Sequence, residues 1–233
     1  GKGLILGGSH APNYNLPGSL VGDLSAILIE NCSPFVNMMR VPGKDIALLS
    51  DFEEKMDRIA RATSNVNVTN LSGVPSWMMA VLKHMLDITG KQGVEELWPN
   101  LEVFFHGGVA FTPYREQYKR LITSPGMHYM ETYNASEGFF GLQDDPSDAA
   151  MSLMLDYGVF YEFIPMDQIE SPNPEVVPLW GVELNRNYAM VISTSSGLWR
   201  YMIGDTVSFT QKDPYKFVIT GRTKFFINAF GEE

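Results

Sequence analysis

The chain of 233 residues has one cysteine, Cys32, so it cannot close an internal disulfide. A reducing, cytoplasmic compartment is the simple expectation, with Cys32 read as a small buried apolar residue. Cations are scarce as well. Seventeen Lys and Arg face 27 Asp and Glu, a net charge of −10, which argues against a nucleic-acid or anionic-membrane surface. A nucleotide is not excluded, because its phosphates need only local cations and a metal. No apolar run approaches the roughly 18 residues of a membrane span, and no basic-then-apolar leader opens the sequence. His10, His84, His106 and His128 show no metal-ligand spacing. The absence of a Gly-x-Ser-x-Gly elbow makes a hydrolase the weakest reading. Residues 1–8 are glycine-rich around an apolar run but form no phosphate loop, since no Gly-Lys-Ser/Thr follows the turn.

What is present is an ordinary globular composition, 45% apolar and 19% charged, enough to bury a substantial core. Residues 1–8 read as a buried strand ending in a glycine turn, and residues 19–31 as a loose helix closed by Pro34. Ser50 to Glu53 form a capping box that opens a helix to about Ala62. Residues 66–71 alternate as a strand. A helix follows over residues 77–86, started by Pro75 and Ser76. Residues 101–105 are the next strand, and residues 114–122 the next helix.

Strand, turn, helix is the unit of an open, mostly parallel α/β sheet, whose ligands bind outside the carboxyl ends of the strands. Three strand-to-turn junctions (73–75, 106–108 and 133–137) are expected along one such edge. After Pro146, short alternating runs separated by turns predict an antiparallel sheet or barrel. These include residues 159–164, 179–184, 198–203 and 206–210. The expected fold is thus α/β: a mostly parallel sheet with flanking helices over residues 1–148, then an antiparallel β-barrel-like subdomain over residues 149–233.

Three segments carry chemistry. Residues 133–141 read Tyr-Asn-Ala-Ser-Glu-Gly-Phe-Phe-Gly, placing a phenol, a hydroxyl and a carboxylate before glycines that permit close backbone approach. Residues 197–205 end in Gly204-Asp205, and an aspartate there suits the two hydroxyls of a ribose. Within this run Trp199 and Tyr201 are expected on one strand face, Arg200 and Met202 on the other. Residues 219–228 set Arg222 and Lys224 on either side of Thr223, a forked donor and a point charge suited to ribose or phosphate.

Together the three segments resemble the signature regions of the acyl-adenylate-forming superfamily, in particular the auxin-responsive promoter-like acyl-acid–amido synthetases. Residues 133–141 resemble its nucleotide motif, and Tyr201-Met202-Ile203-Gly204-Asp205 its Tyr-Arg-x-Gly-Asp motif, with Met202 in place of the usual basic residue. Gly221-Arg222-Thr223-Lys224 resembles the Gly-Arg segment before the hinge to a C-terminal domain. His106-Gly107-Gly108 matches the glycine pair ahead of the nucleotide motif, and Gly73-Val74-Pro75-Ser76-Trp77 resembles the segment between.

The resemblance implies that Gly107 and Gly108 border an adenine and that Tyr133 stacks on or flanks it. Ser136 then lies near the phosphates, Glu137 binds Mg²⁺, Asp205 holds the ribose, Arg222 contacts ribose or phosphate, and Lys224 marks the hinge. Trp77, His106 and Val109 are candidates for the wall of an acyl pocket. The implied partners are ATP, Mg²⁺, a small carboxylic acid and an amino acid, with no nucleic acid and no membrane.

The alternatives are an acyl-CoA ligase of the same superfamily and a non-catalytic nucleotide- or ligand-binding module. The resemblance also implies a Ser/Thr/Gly-rich phosphate loop before the first strand and a C-terminal domain after Glu233. Asn228 stands where many members have lysine. The sequence shows neither of those two parts, so the chain is expected to be a fragment. Without charge-stabilising groups worth several kcal/mol at the transition state, it should not adenylate efficiently alone. ATP–pyrophosphate exchange at the rate of a complete enzyme would contradict this.

Overall fold

A computed structural model describes residues 1–224, and the chain divides into two compact units, Gly1–Met130 and Glu131–Glu233. In the first unit, β1 (Lys2–Ile5) is followed by a hairpin of β2 (His10–Pro12) and β3 (Leu20–Gly22). Next come α1 (Leu24–Glu30), α2 (Pro34–Met39), β4 (Arg40–Val41), α3 (Lys44–Ala47) and α4 (Phe52–Thr63). The unit continues with β5 (Val68–Gly73), α5 (Pro75–Thr89), β6 (Val103–His106) and α6 (Arg115–Leu121). Four of its strands form a parallel sheet in the order β6-β5-β1-β4. Leu4, Leu71 and Phe104, one from each of three strands, are wholly buried in one cluster with Ile59 and Ala60 of α4 and Met78, Leu82 and Met85 of α5.

Pro75 occupies the first turn of α5 and Gly90, at φ 67°, ends it in the left-handed region. The cap of α4 sits one residue later than the expected box. Asp51, not Ser50, is the capping residue, its Oδ1 accepting from the Glu54 amide at 2.8 Å. The expected helix over residues 19–31 is divided, because residues 20–22 pair with β2 and α1 starts only at Leu24. The intervening Asp23 gives its carboxylate to the Ser9 amide at 3.0 Å and so makes no side-chain cap. From α4, the buried Lys55 ammonium donates to the carbonyls of Gly7 (2.6 Å) and Gly8 (3.0 Å), holding the turn after β1.

The chain enters the second unit within β7 (His128–Ala135), followed by β8 (Gly138–Gln143), β9 (Met151–Leu153) and β10 (Val159–Pro165). β11 (Val177–Pro178), β12 (Asn187–Thr194), β13 (Tyr201–Lys212) and β14 (Tyr215–Arg222) complete it. These strands are antiparallel, in the order β11-β10-β12-β13-β14-β9-β8-β7. The barrel expected here is not formed: among the described residues no pairing closes the sheet on itself, and the two-residue β11 adds only two pairs to β10.

The unit boundary also precedes the expected one at Asp148, because residues 131–148 carry strands of this sheet. Phe140 is buried with its core, and Gly141 lets β8 lie against Phe217, whose Cζ would stand 2.7 Å from any added Cβ. The third expected strand-to-turn junction, at residues 133–137, is the end of β7 and the turn of an antiparallel hairpin with β8.

Two other expected strands differ. Residues 179–181 form a 3₁₀ turn, with one isolated bridge from Leu184 to Phe209. Residues 198–200 precede β13, since Arg200 has φ 44°, incompatible with a strand; Trp199 and Arg200 accordingly have no strand face. The core of the unit is aromatic: Phe163, Tyr188, Phe209 and Phe217 are fully buried, with Phe163 edge-on to Phe209 at 5.0 Å. Among the described residues no helix is long and apolar enough to cross a membrane.

Truncating Phe209 to alanine empties the centre of this cluster and is expected to cost about 3–5 kcal/mol. Asp51→Ala, which removes only a cap, is expected to cost about 1 kcal/mol. Urea unfolding of both variants checks the ranking.

Candidate functional site

The β13–β14 ladder sets Asp205 directly opposite Arg222. Arg222 Nε lies 3.3 Å from Asp205 Oδ1, and Tyr133 Oη donates to Asp205 Oδ2 at 2.5 Å. Tyr133, 72 positions away in sequence, and Arg222 of the neighbouring strand, both in the second unit, thus converge on the Asp205 carboxylate. Two local features hold it there. Gly204 adopts φ 97°, a conformation open to glycine and rare for other residues. Its carbonyl accepts from the Thr223 amide at 2.7 Å, fastening the residue after β14 to β13 next to Asp205. The Asp205 side chain is 17% exposed and that of Arg222 42%, so the pair is reachable from solvent without being fully hydrated.

Tyr133 is buried, its ring centroid 5.1 Å from that of Phe140 and 6.1 Å from that of Phe217. Burial, then the Asp205 carboxylate, and more weakly the Glu137 charge, push its ionisation far above the ordinary phenol value, while Arg222 opposes them. The phenol therefore keeps its proton and acts as a donor. Its ring faces belong to the core, so in this arrangement it offers Asp205 a hydroxyl rather than offering a base a stacking surface. Ser136 and Glu137 form the turn between β7 and β8, Ser136 exposed and Glu137 half-buried. Lys224 is exposed just beyond β14.

Trp77, His106, Gly107, Gly108 and Val109 belong to the first unit. His106 ends β6 in register with Gly73 of β5, bringing two of the expected junctions side by side at the carboxyl edge of the parallel sheet. Gly108 turns the chain away at φ 83°. His106 itself is only 2% exposed, stacked on Phe111 at 4.0 Å and near Phe104 at 5.6 Å, whereas Trp77 lies against Phe52 and is 41% exposed. Burial, with the Arg115 charge adding to it, lowers the His106 pKa to about 4.

A surface cavity of about 610 Å³ in the second unit is lined by Phe160, Glu162, Ser193, Trp199 and Arg200 and does not include Asp205. Its charged groups neutralise each other, Arg200 Nε lying 3.1 Å from Glu162 Oε2. Convergence of unlike polar groups favours the Asp205 cluster as the functional centre. Sequence reasoning named Tyr133, Asp205 and Arg222 but missed that the phenol serves the carboxylate and that the Thr223 amide holds Gly204. No spacing signal reports a contact between strands this far apart in sequence.

The GH3 family N-terminal domain matches residues 15–127 and the GH3 family central domain matches residues 152–222. The chain belongs to the GH3 family. It is 32% identical over 126 residues to the indole-3-acetic acid-amido synthetase GH3.3 of Arabidopsis thaliana, over 50% of this chain and 20% of that protein. It is 34% identical over 129 residues to the indole-3-acetic acid-amido synthetase GH3.8 of Oryza sativa subsp. indica, with the same coverage. Among solved structures it resembles the GH3.15 acyl acid amido synthetase, with a TM-score of 0.74 at 20% identity over 98% of this chain and 49% of that one. At that identity the likeness concerns the fold. The GH3 chain thus spans about a fifth of the length of these curated relatives and about half of that structure.

The His106 environment sets a pH dependence. Its folded pKa of about 4 lies below the ordinary 6.5, so the unfolded chain binds a proton first as pH falls. The stability this histidine contributes should be fully present above pH 6.5 and lost progressively towards pH 4. Denaturant titrations across that window should show a slope that His106→Gln flattens.

Proposed function

We propose that this GH3 chain supplies the nucleotide-holding core of an ATP-dependent acyl-acid–amido synthetase. In the reaction, a carboxylate attacks the α-phosphate of ATP and pyrophosphate leaves. An amino acid's amine then attacks the acyl carbonyl of the adenylate, giving up a proton and expelling AMP as the amide forms. The observation that carries this reading is the meeting of Tyr133, Asp205 and Arg222 around one partly exposed carboxylate. Asp205 is assigned the ribose hydroxyls. The terminal nitrogens of Arg222 remain for ribose or phosphate oxygens, its Nε being turned to Asp205. The first-unit glycines Gly107 and Gly108 are assigned to the adenine, and Ser136 to the phosphates.

Among the described residues no group of three or more His, Cys, Asp or Glu is placed to hold a metal. Magnesium fits such a site nonetheless, because it commonly takes one or two carboxylates and leaves its other positions to phosphate and water. Glu137, half-buried in the β7–β8 turn and close enough to influence Tyr133 electrostatically, is the carboxylate assigned to it. The bound ion would neutralise phosphate charge.

Glu137→Gln keeps the shape of the side chain and removes its charge. We expect it to abolish the magnesium-dependent part of ATP binding measured by calorimetry while leaving the fold intact. Binding that is unchanged would favour a module that kept the fold without the chemistry. In the complete gene product, trapping the activated acyl group with hydroxylamine, then adding an amino acid or coenzyme A, identifies the acceptor. Transfer to the amino acid is the expected outcome.

A further inference from the structure

The proposal above gives Asp205 a ligand but leaves open how its carboxylate is aimed. An ionised carboxylate has two oxygens and about four lone-pair sites. Tyr133 Oη takes one site on Oδ2, and Arg222 Nε approaches Oδ1. One site on each oxygen is then left. A vicinal diol presents two hydroxyl donors, so the two free sites match what a ribose carries.

The two fixed donors are not equivalent. Arg222 is a long side chain, 42% exposed, and can swing towards a phosphate. Tyr133 is wedged between Phe140 and Phe217, with 6% of its surface exposed. Its two torsions are set by that packing, and the position of Oη is set with them. Its neighbours on both sides of the chain are strand residues of β7, paired to β8 through Tyr133↔Gly141. The rigid partner of Asp205 is therefore the phenol.

We infer that Tyr133 is a positioning residue that acts through Asp205, orienting its carboxylate so that the protein distinguishes a ribose carrying both hydroxyls from one lacking them. This rests on the nucleotide reading above and changes the part Tyr133 plays in it: the hydroxyl, not the ring face, is the functional group. Burial and the Asp205 carboxylate raise the phenol's ionisation well above its ordinary value, so it stays protonated and acts as a donor. Loss of the hydroxyl would leave Asp205 bonded to Arg222 alone and free to turn with it.

The test is equilibrium binding of ATP and of 2′,3′-dideoxy-ATP to the wild-type protein, to Tyr133→Phe and to Asp205→Asn, with magnesium present. Hydrogen bonds to a charged group predict that the wild type prefers ATP by about tenfold or more. Both Asp205→Asn and Tyr133→Phe should bring the two affinities to within about threefold of each other. If Tyr133→Phe weakens both ligands equally and keeps the wild-type ratio, the hydroxyl only supports packing and the inference is overturned.

A wild type that binds neither ligand, or binds both alike, overturns the nucleotide reading itself, and the inference with it. Circular dichroism establishes that each variant is folded. If Tyr133→Phe is not, 4-fluorophenylalanine at position 133 fills the volume of the hydroxyl without a proton to donate and gives the same two outcomes.

Discussion

A carboxylate shared between a phenol and a guanidinium organises the second unit. Asp205 would be costly to hold at 17% exposure without donors. Each donor arrives by a different structural route. Arg222 comes from the strand paired with β13, directly across the ladder. Tyr133 comes from β7, at the far end of the strand order from β11, through a core that Phe140 and Phe217 fill. The aromatic core and the polar cluster are consequently one construction: moving Phe217 would move the phenol, and moving the phenol would release the carboxylate.

The first unit places its features by a different logic. Its parallel strands end together, so Gly73 and His106 stand in register at one edge, and the glycines after β6 follow from there. The strand-to-turn junction expected at residues 106–108 is made by Gly108, which turns the chain at φ 83°. His106 shows the limit of such reasoning. A histidine next to a glycine pair invites a ligand, yet its ring is absorbed by Phe104 and Phe111, and its charged form is suppressed by burial.

Local order was legible where short-range physics decides it. The proline that starts α5, the parallel β5–β6 pair and the turn carrying Glu137 follow from periodicity and turn chemistry, whereas Asp205 and Arg222, expected at turns, are paired strand residues of β13 and β14. What escaped depended on partners distant along the chain. Residues 19–31 read as one helix until residues 20–22 pair with β2. Residues 131–148 read as the end of an α/β segment until β8 pairs with β9. Arg200 reads as a strand residue until its left-handed backbone is seen. The antiparallel runs were found as runs, but alternation alone cannot tell a closed sheet from an open one.

Lys55 carries a consequence of its own. Among the described residues most ion pairs join partly exposed side chains, such as Arg61 with Asp57 or Arg186 with Asp167, and dissolved electrolyte weakens contacts of that kind. Lys55 instead directs its ammonium at two uncharged carbonyls, Gly7 and Gly8, inside the unit. Mobile counterions gain no entry to that bond. The turn after β1 should accordingly hold its shape in brine as firmly as in dilute buffer, while the helix surfaces around it lose their pairings.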